Sequence, residues 1–313
     1  MSDTSTLGQG PGLARPVIGQ FFGIFHGCSK EHYGQIVASA PFDRCNLLIL
    51  AFVKTWQASW GEFTPVLPNT RDGGFNSGFE KPDDTDDDRI KLVVKTARAK
   101  NPSLKILISL GWYNEVVLAA KTPRIFAEGL RDIVQKYGLD GFDIDYELTP
   151  EADRLKDAFT AADFVQLMQF VKEELAKVTA GSPILTITPA MTDSLNKDVL
   201  DCFTYVMPQS YDHGGNDTTG APYYAILESY DKIAYGVNAE GYLDSRGGKD
   251  PSTTPDDPSH SIGLAKGLRA AGVFSWRLDT DSMRTKPARP GDEGRDQLPT
   301  FDVAYKMWDL MHR

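Results

Sequence analysis

Short apolar runs alternate with helical stretches along the chain, and that rhythm leaves few folds open. The runs VIGQFF (17–22), NLLILAFV (46–53), LKILISLG (104–111), GFDIDYE (141–147), ILTITPA (184–190), FTYVMPQSY (203–211), KIAYGV (232–237) and AGVFSW (271–276) have strand length and strand composition. Between them, helices are predicted at 29–39, 89–100, 123–136, 163–178, 193–201, 222–230, 260–270 and 301–312. In the clearest of these, Phe164, Leu167, Met168, Val171, Leu175 and Val178 line one side at helical spacing. Ile90, Val93, Val94 and Ala97 do the same in another. Eight strand-then-helix units in 313 residues predict an α/β fold, the (β/α)8 TIM barrel, as one domain over 16–313 behind a flexible tail, 1–15. A doubly wound open sheet is the alternative. It is weakened because GQFFGIFHG, at the first strand, lacks the G-x-G-x-x-G phosphate turn.

The fourth run poses a chemical question, because GLDGFDIDYE holds Asp140, Asp143, Asp145 and Glu147 in an otherwise buried strand. Strand side chains alternate, so Asp143, Asp145 and Glu147 share one face while Phe142, Ile144 and Tyr146 share the other. Buried carboxylates are costly unless paired or hydrogen-bonded, so an ordinary structural strand has no reason to collect three. A solvated edge strand is the plain alternative, and the flanking apolar residues argue against it. Barrel active sites lie at the C-terminal strand ends. That rule puts Glu147 nearest a substrate, with Asp145 and then Asp143 deeper. Ser109, Gly111 and Trp112 end the third strand, Gln209 and Tyr211 the sixth, Asn238 and Glu240 follow the seventh, and Trp276 ends the eighth. Asp140 has the opposite parity and reads as a structural hydrogen-bonding residue.

Composition narrows the ligand. A formal net charge of -10 and a pI near 5.0 repel nucleic acid and anionic membrane, so neither is expected as a partner. No apolar run approaches the roughly 18 residues of a membrane span. The first residues lack the basic and apolar regions of a secretory signal, so a cytoplasmic protein is expected, or one exported by a route not readable from this chain. Cys28, Cys45 and Cys202 have no metal-ligand spacing and are read as reduced thiols. The acids at 83–88 lack the spacing of a calcium loop and read as solvation and helix capping. The segment after the second strand carries Trp56, Trp60, Phe63, Phe75 and Phe79, which can stack on sugars or pack onto the barrel.

At these residues a family becomes recognisable. DGFDIDYE resembles the D-x-x-D-x-D-x-E signature of glycoside hydrolase family 18, the chitinases and endo-β-N-acetylglucosaminidases. KILISLGW is similar to its third-strand S-x-G-G motif, VMPQSYD to its sixth-strand segment and GVFSW to its eighth, so the likeness runs from 17 to 312. It implies a retaining hydrolase for β-1,4-linked N-acetylglucosamine, in chitin or chitooligosaccharides; no cofactor or metal is expected, and the chain is expected to be a monomer. The substrate's own acetamido oxygen then forms an oxazolinium intermediate. Glu147 is implied as general acid and base. Asp145 is implied to hold the acetamido N–H, Asp143 to share a proton with Asp145, and Tyr211 to fix the acetamido carbonyl. Trp276 is implied as the floor under the sugar, with Gln209, Trp112 and Ser109 as further substrate-binding residues.

Two departures stand out. Trp112 replaces the second glycine of S-x-G-G, which narrows or re-lines the site. About 34 residues separate the seventh and eighth strands, too few for the small α+β insertion of many family members, so a shallower cleft is expected. The rivals are an endo-β-N-acetylglucosaminidase acting on the N-glycan core, a non-catalytic carbohydrate-binding barrel, and a metal-dependent barrel that would recruit His213 and Glu240.

Overall fold

The structure, a computed structural model, describes residues 13, 15–24, 29–68, 84–147, 159–211, 220–240, 255–283 and 298–313. Eight parallel strands build a nearly closed barrel: β1 (Val17–Gly23), β2 (Leu47–Ser59), β4 (Lys105–Gly111), β5 (Gly141–Tyr146), β6 (Ile184–Pro189), β7 (Tyr205–Val206), β8 (Ala234–Asn238) and β9 (Gly272–Trp276). They follow the order β7-β6-β5-β4-β2-β1-β9-β8, and a parallel bridge from Val206 to Ile233 joins the two ends. A ninth strand, β3 (Glu62–Val66), pairs antiparallel with the far half of β2.

Strand alternation sorts the core into two layers. Phe142, Ile144 and Tyr146 of β5, with Ile106, Ile108 and Leu110 of β4, pack outward on the helices. Phe21, Ile49, Leu107, Met207 and Phe274 fill the barrel interior. Asp143 and Asp145 have the inward parity, so the strand is apolar only toward its helices. Gly141, which opens β5, has no room for a side chain, because a Cβ there would lie 1.9 Å from the Ile184 carbonyl oxygen.

The helices between strands are α1 (Lys30–Ser39), α2 (Asp86–Lys100), α3 (Tyr113–Ala119), α4 (Pro123–Tyr137), α5 (Ala161–Leu175), α6 (Lys197–Asp201), α7 (Ala221–Leu227), α8 (Ser259–Gly267) and α9 (Asp302–Met311). Thr85 caps α2 in a reciprocal box with Asp88, and Asp86, Asp87 and Asp88 occupy its first turn. This is the capping use expected of the acid run. Thr160 and Asp163 repeat the box on α5. None of the described helices is long and apolar enough to cross a membrane.

The chain differs from expectation in three places. The sixth run shrinks to two strand residues, because Pro208 lacks the N–H that would follow the Val206 bond to the Lys232 carbonyl, although the Gln209 N–H still meets the Pro189 carbonyl of β6 at 2.9 Å. β2 runs on past residue 53 to Ser59 and folds back as the β2–β3 hairpin, with Trp56 and Trp60 exposed. A short helix, α3, follows β4 directly, where none was expected. Of the expected tail only Leu13 and Arg15 are among the described residues: Leu13 packs with the barrel interior and Arg15 donates to the Asp231 carbonyl at 3.0 Å. Phe75, Phe79, Cys28, His213, Asp83 and the segment 241–254, where a family insertion would fall, lie outside the described residues.

Candidate active site

The acidic side of β5 is fastened by its neighbours. Parallel pairing sets Ser109 and Thr186 beside Asp143, on β4 and β6 respectively. Asp143 accepts from the Ser109 hydroxyl at 2.6 Å, from Thr186 at 2.6 Å and from Thr188 at 3.1 Å. Its carboxyl is fully buried, and burial pushes its pKa up to about 6 against the pull of those three hydroxyls. Ser109, expected to line the sugar site, is itself wholly buried and serves to hold Asp143.

Asp145 lies one step nearer the mouth. It accepts from the Gln209 amide at 2.8 Å. Burial raises its pKa well above the ordinary range, the charges of Glu147 and Asp143 add to the rise, and Gln209 and Lys54 oppose it. Asp143 and Asp145 therefore form a coupled pair that retains a proton more readily than two exposed carboxyls. Glu147, half-buried, ends the row at the rim, its backbone carbonyl held by the Tyr113 N–H at 2.9 Å.

Tyr211 enters from beyond β7 and lies edge-on to Phe274, with ring centroids 6.0 Å apart. Its place depends on Gly236, where a Cβ would come within 2.6 Å of the tyrosine ring. Burial raises the Tyr211 pKa well above its usual value, with further push from Asp145, Glu147, Glu240 and Asp143, so its hydroxyl keeps its proton. Trp276, half-buried at the end of β9, completes an aromatic floor: it lies 5.8 Å from Phe52 in a stack at 22° and 5.4 Å from Phe21.

Four contributors escaped the sequence reading. Thr186 and Thr188 alternate onto the inward face of β6, a signal that was present in ILTITPA. Phe52 and Lys54 were hidden by a bulge. Ala51 pairs with Ser109 and Val53 with Leu110, so Phe52 is an extra residue in β2 that turns inward after Ala51 and brings Lys54 to the inner parity. The Lys54 ammonium lies 3.1 Å from the centroid of the Trp112 ring, and Trp112 lies 5.9 Å from Phe52. Burial lowers the Lys54 pKa, while Glu115 and Asp145 pull it back up.

Asp140, expected outside the site, and Glu240, the acid after the seventh strand, are also placed. Asp140 accepts from the Ile106 N–H at 3.0 Å and pairs with Arg98 at 3.1 Å and Lys105 at 3.0 Å, away from the acid row. Glu240 faces Arg277 at 3.9 Å. Among the described residues, no group of three or more His, Cys, Asp or Glu side chains could hold a metal ion.

Comparison with known proteins agrees with this arrangement at the level of fold. The multi-modular, cell-surface-expressed chitinase from a Paenibacillus species matches over 95% of this chain with 17% identity and a TM-score of 0.64, and this chain spans 43% of that one. A mutant of the class V chitinase from Nicotiana tobaccum, in complex with NAG4, matches over 96% of this chain and 99% of its own, with 12% identity and a TM-score of 0.62. The chitinase-like agglutinin from Robinia pseudoacacia matches over 94% and 99% of the two chains, with 14% identity and a TM-score of 0.61. No curated protein matches the chain. The family model described as glycosyl hydrolases family 18 matches residues 24–254, well over half of the sequence and all of the acid row. The chain belongs to glycosyl hydrolases family 18.

Proposed function

We propose that the protein is a retaining glycoside hydrolase that cleaves β-1,4-linked N-acetylglucosamine chains, with the substrate's acetamido group as nucleophile. The observation that carries this reading is the graded acid row: Asp143 fastened by three hydroxyls, Asp145 by Gln209, and Glu147 at the rim above them. Each member has a distinct task. Glu147 protonates the leaving oxygen and then takes a proton from water. Asp145 accepts from the acetamido N–H and, charged, stabilises the oxazolinium. Asp143 takes up the proton that Asp145 gives away, which its own position near pH 6 permits. Tyr211, protonated, donates to the acetamido carbonyl and holds it in attack geometry. Trp276 and Phe52 present the apolar floor for the sugar ring.

The test is mass spectrometry of products from wild type and Glu147→Gln, incubated with chitotetraose and separately with a high-mannose glycoprotein. Cleavage of chitotetraose by wild type alone is expected. Cleavage of the glycoprotein alone would make the protein an endo-β-N-acetylglucosaminidase. The similarity to an agglutinin favours one further reading, a sugar-binding barrel without turnover. Binding of chitotetraose with no cleavage by folded wild type would establish it.

A further inference from the structure

The turn after β4 places a large side chain where the backbone favours the smallest. Trp112 has φ 74° and ψ 152°, a region occupied almost only by glycine. Such a residue persists where its surroundings hold it, and here β2 and β5 do so. The Trp112 N–H donates to the Asp145 carbonyl and the next N–H, of Tyr113, to the Glu147 carbonyl, both at 2.9 Å. The indole is therefore tied by its own backbone to the acid row. From the other side, the bulge at Phe52 delivers the Lys54 ammonium onto the ring at 3.1 Å. The neighbouring Thr55 fixes the distance between β2 and α3, its N–H donating to the Glu115 carboxylate at 2.6 Å and its hydroxyl to the Glu115 carbonyl at 2.9 Å.

These contacts decide what the indole can offer. Lys54 occupies one ring face and Phe52 closes on the ring at 41°, so the half-buried Trp112 is held rigidly and has less of its face free for stacking. We propose that Trp112, locked by Lys54, is a specificity-determining residue that confines the cleft beside Glu147 to unsubstituted, unbranched N-acetylglucosamine chains. This rests on the hydrolase reading above and names the substrate class more narrowly.

The experiment compares kcat/KM on chitotetraose and on glycol chitin, whose sugars carry bulky O-substituents, for wild type, Trp112→Gly and Lys54→Met, with thermal melting of each. The ratio of glycol chitin to chitotetraose is expected to rise about tenfold in Trp112→Gly and by a smaller factor in Lys54→Met. The melting midpoint of Trp112→Gly should fall by less than that of Trp112→Ala, because the backbone there already suits glycine. An unchanged ratio in folded variants overturns the inference, and a lowered midpoint with an unchanged ratio makes Trp112 a packing residue only. Should Trp112→Gly fail to fold, Lys54→Met and Trp112→Ala decide by the same ratio. If wild type cuts neither substrate, the hydrolase reading fails alone. The ratio of binding affinities for the two ligands then tests Trp112 in the same way: a rise in the variants supports the inference and no change overturns it.

Discussion

Asp145 and Asp143 differ by one pleat of β5, yet the structure gives them unlike surroundings. Asp143 has three hydroxyl donors and Asp145 an amide donor. Asp145→Asn can keep the Gln209 contact with its amide oxygen but cannot carry charge, so turnover should fall roughly 10²- to 10⁴-fold with the melting midpoint nearly unchanged. Steady-state kinetics on chitotetraose measures this, and near-normal turnover would remove acetamido participation. Gly236→Ala tests a residue that touches no substrate. Its added Cβ would meet the Tyr211 ring at 2.6 Å, so displacement of Tyr211 should reduce kcat and cost about 1–3 kcal/mol of stability. Equal activity would detach Tyr211 from the mechanism. At this scale the acid row was legible because parity and spacing are local properties. Lys54 was not, since one extra residue in β2 reverses every later side chain.

Elements are held as much by their ends as by their faces. α2 begins with the buried pair of Asp84 and Arg89, whose guanidinium lies 2.9 Å from the carboxylate, donates to the Ile24 carbonyl at 3.1 Å and packs over the Tyr33 ring at 4.3 Å. Asp84→Ala would leave a buried cation short of its charge partner, and the expected cost is about 3–5 kcal/mol. Thr85→Ala, which removes only the cap beside it, should cost about 1 kcal/mol. Urea denaturation of the two variants separates these outcomes, and similar small losses would mean that the pair contributes little. Helix faces and the acid cap were readable from spacing and composition. The end of the sixth strand was not, because Pro208 withholds one N–H from a ladder that the apolar residues would have continued.

Across the whole molecule, burial of carboxyls ties stability to pH. Asp143 and Asp281 are both raised to about 6 by burial, above the ~3.9 of an unfolded aspartate. A carboxyl that binds its proton more tightly when folded contributes stability that is complete below about pH 4 and is lost as pH rises through about 6. Each raised group therefore takes on the order of 2–3 kcal/mol from the folded state across that window. Asp143→Asn, whose hydroxyl partners can reorient, should remove its share. Denaturation at pH 4.5 and pH 7 should show a smaller difference for the variant than for wild type, and an equal difference would refute the assignment. The barrel itself, its eight strands and the placement of Glu147, Asp145 and Asp143 at one end followed from the sequence, because hydrophobic period and strand parity are set by neighbours along the chain. Only the tertiary structure decided that Ser109, Thr186 and Thr188 hold Asp143, that Phe52 joins Trp276 in the floor, and that Lys54 meets Trp112. Those contacts join residues from separate strands, and a bulge, a proline and the closure of the sheet determine which of them meet.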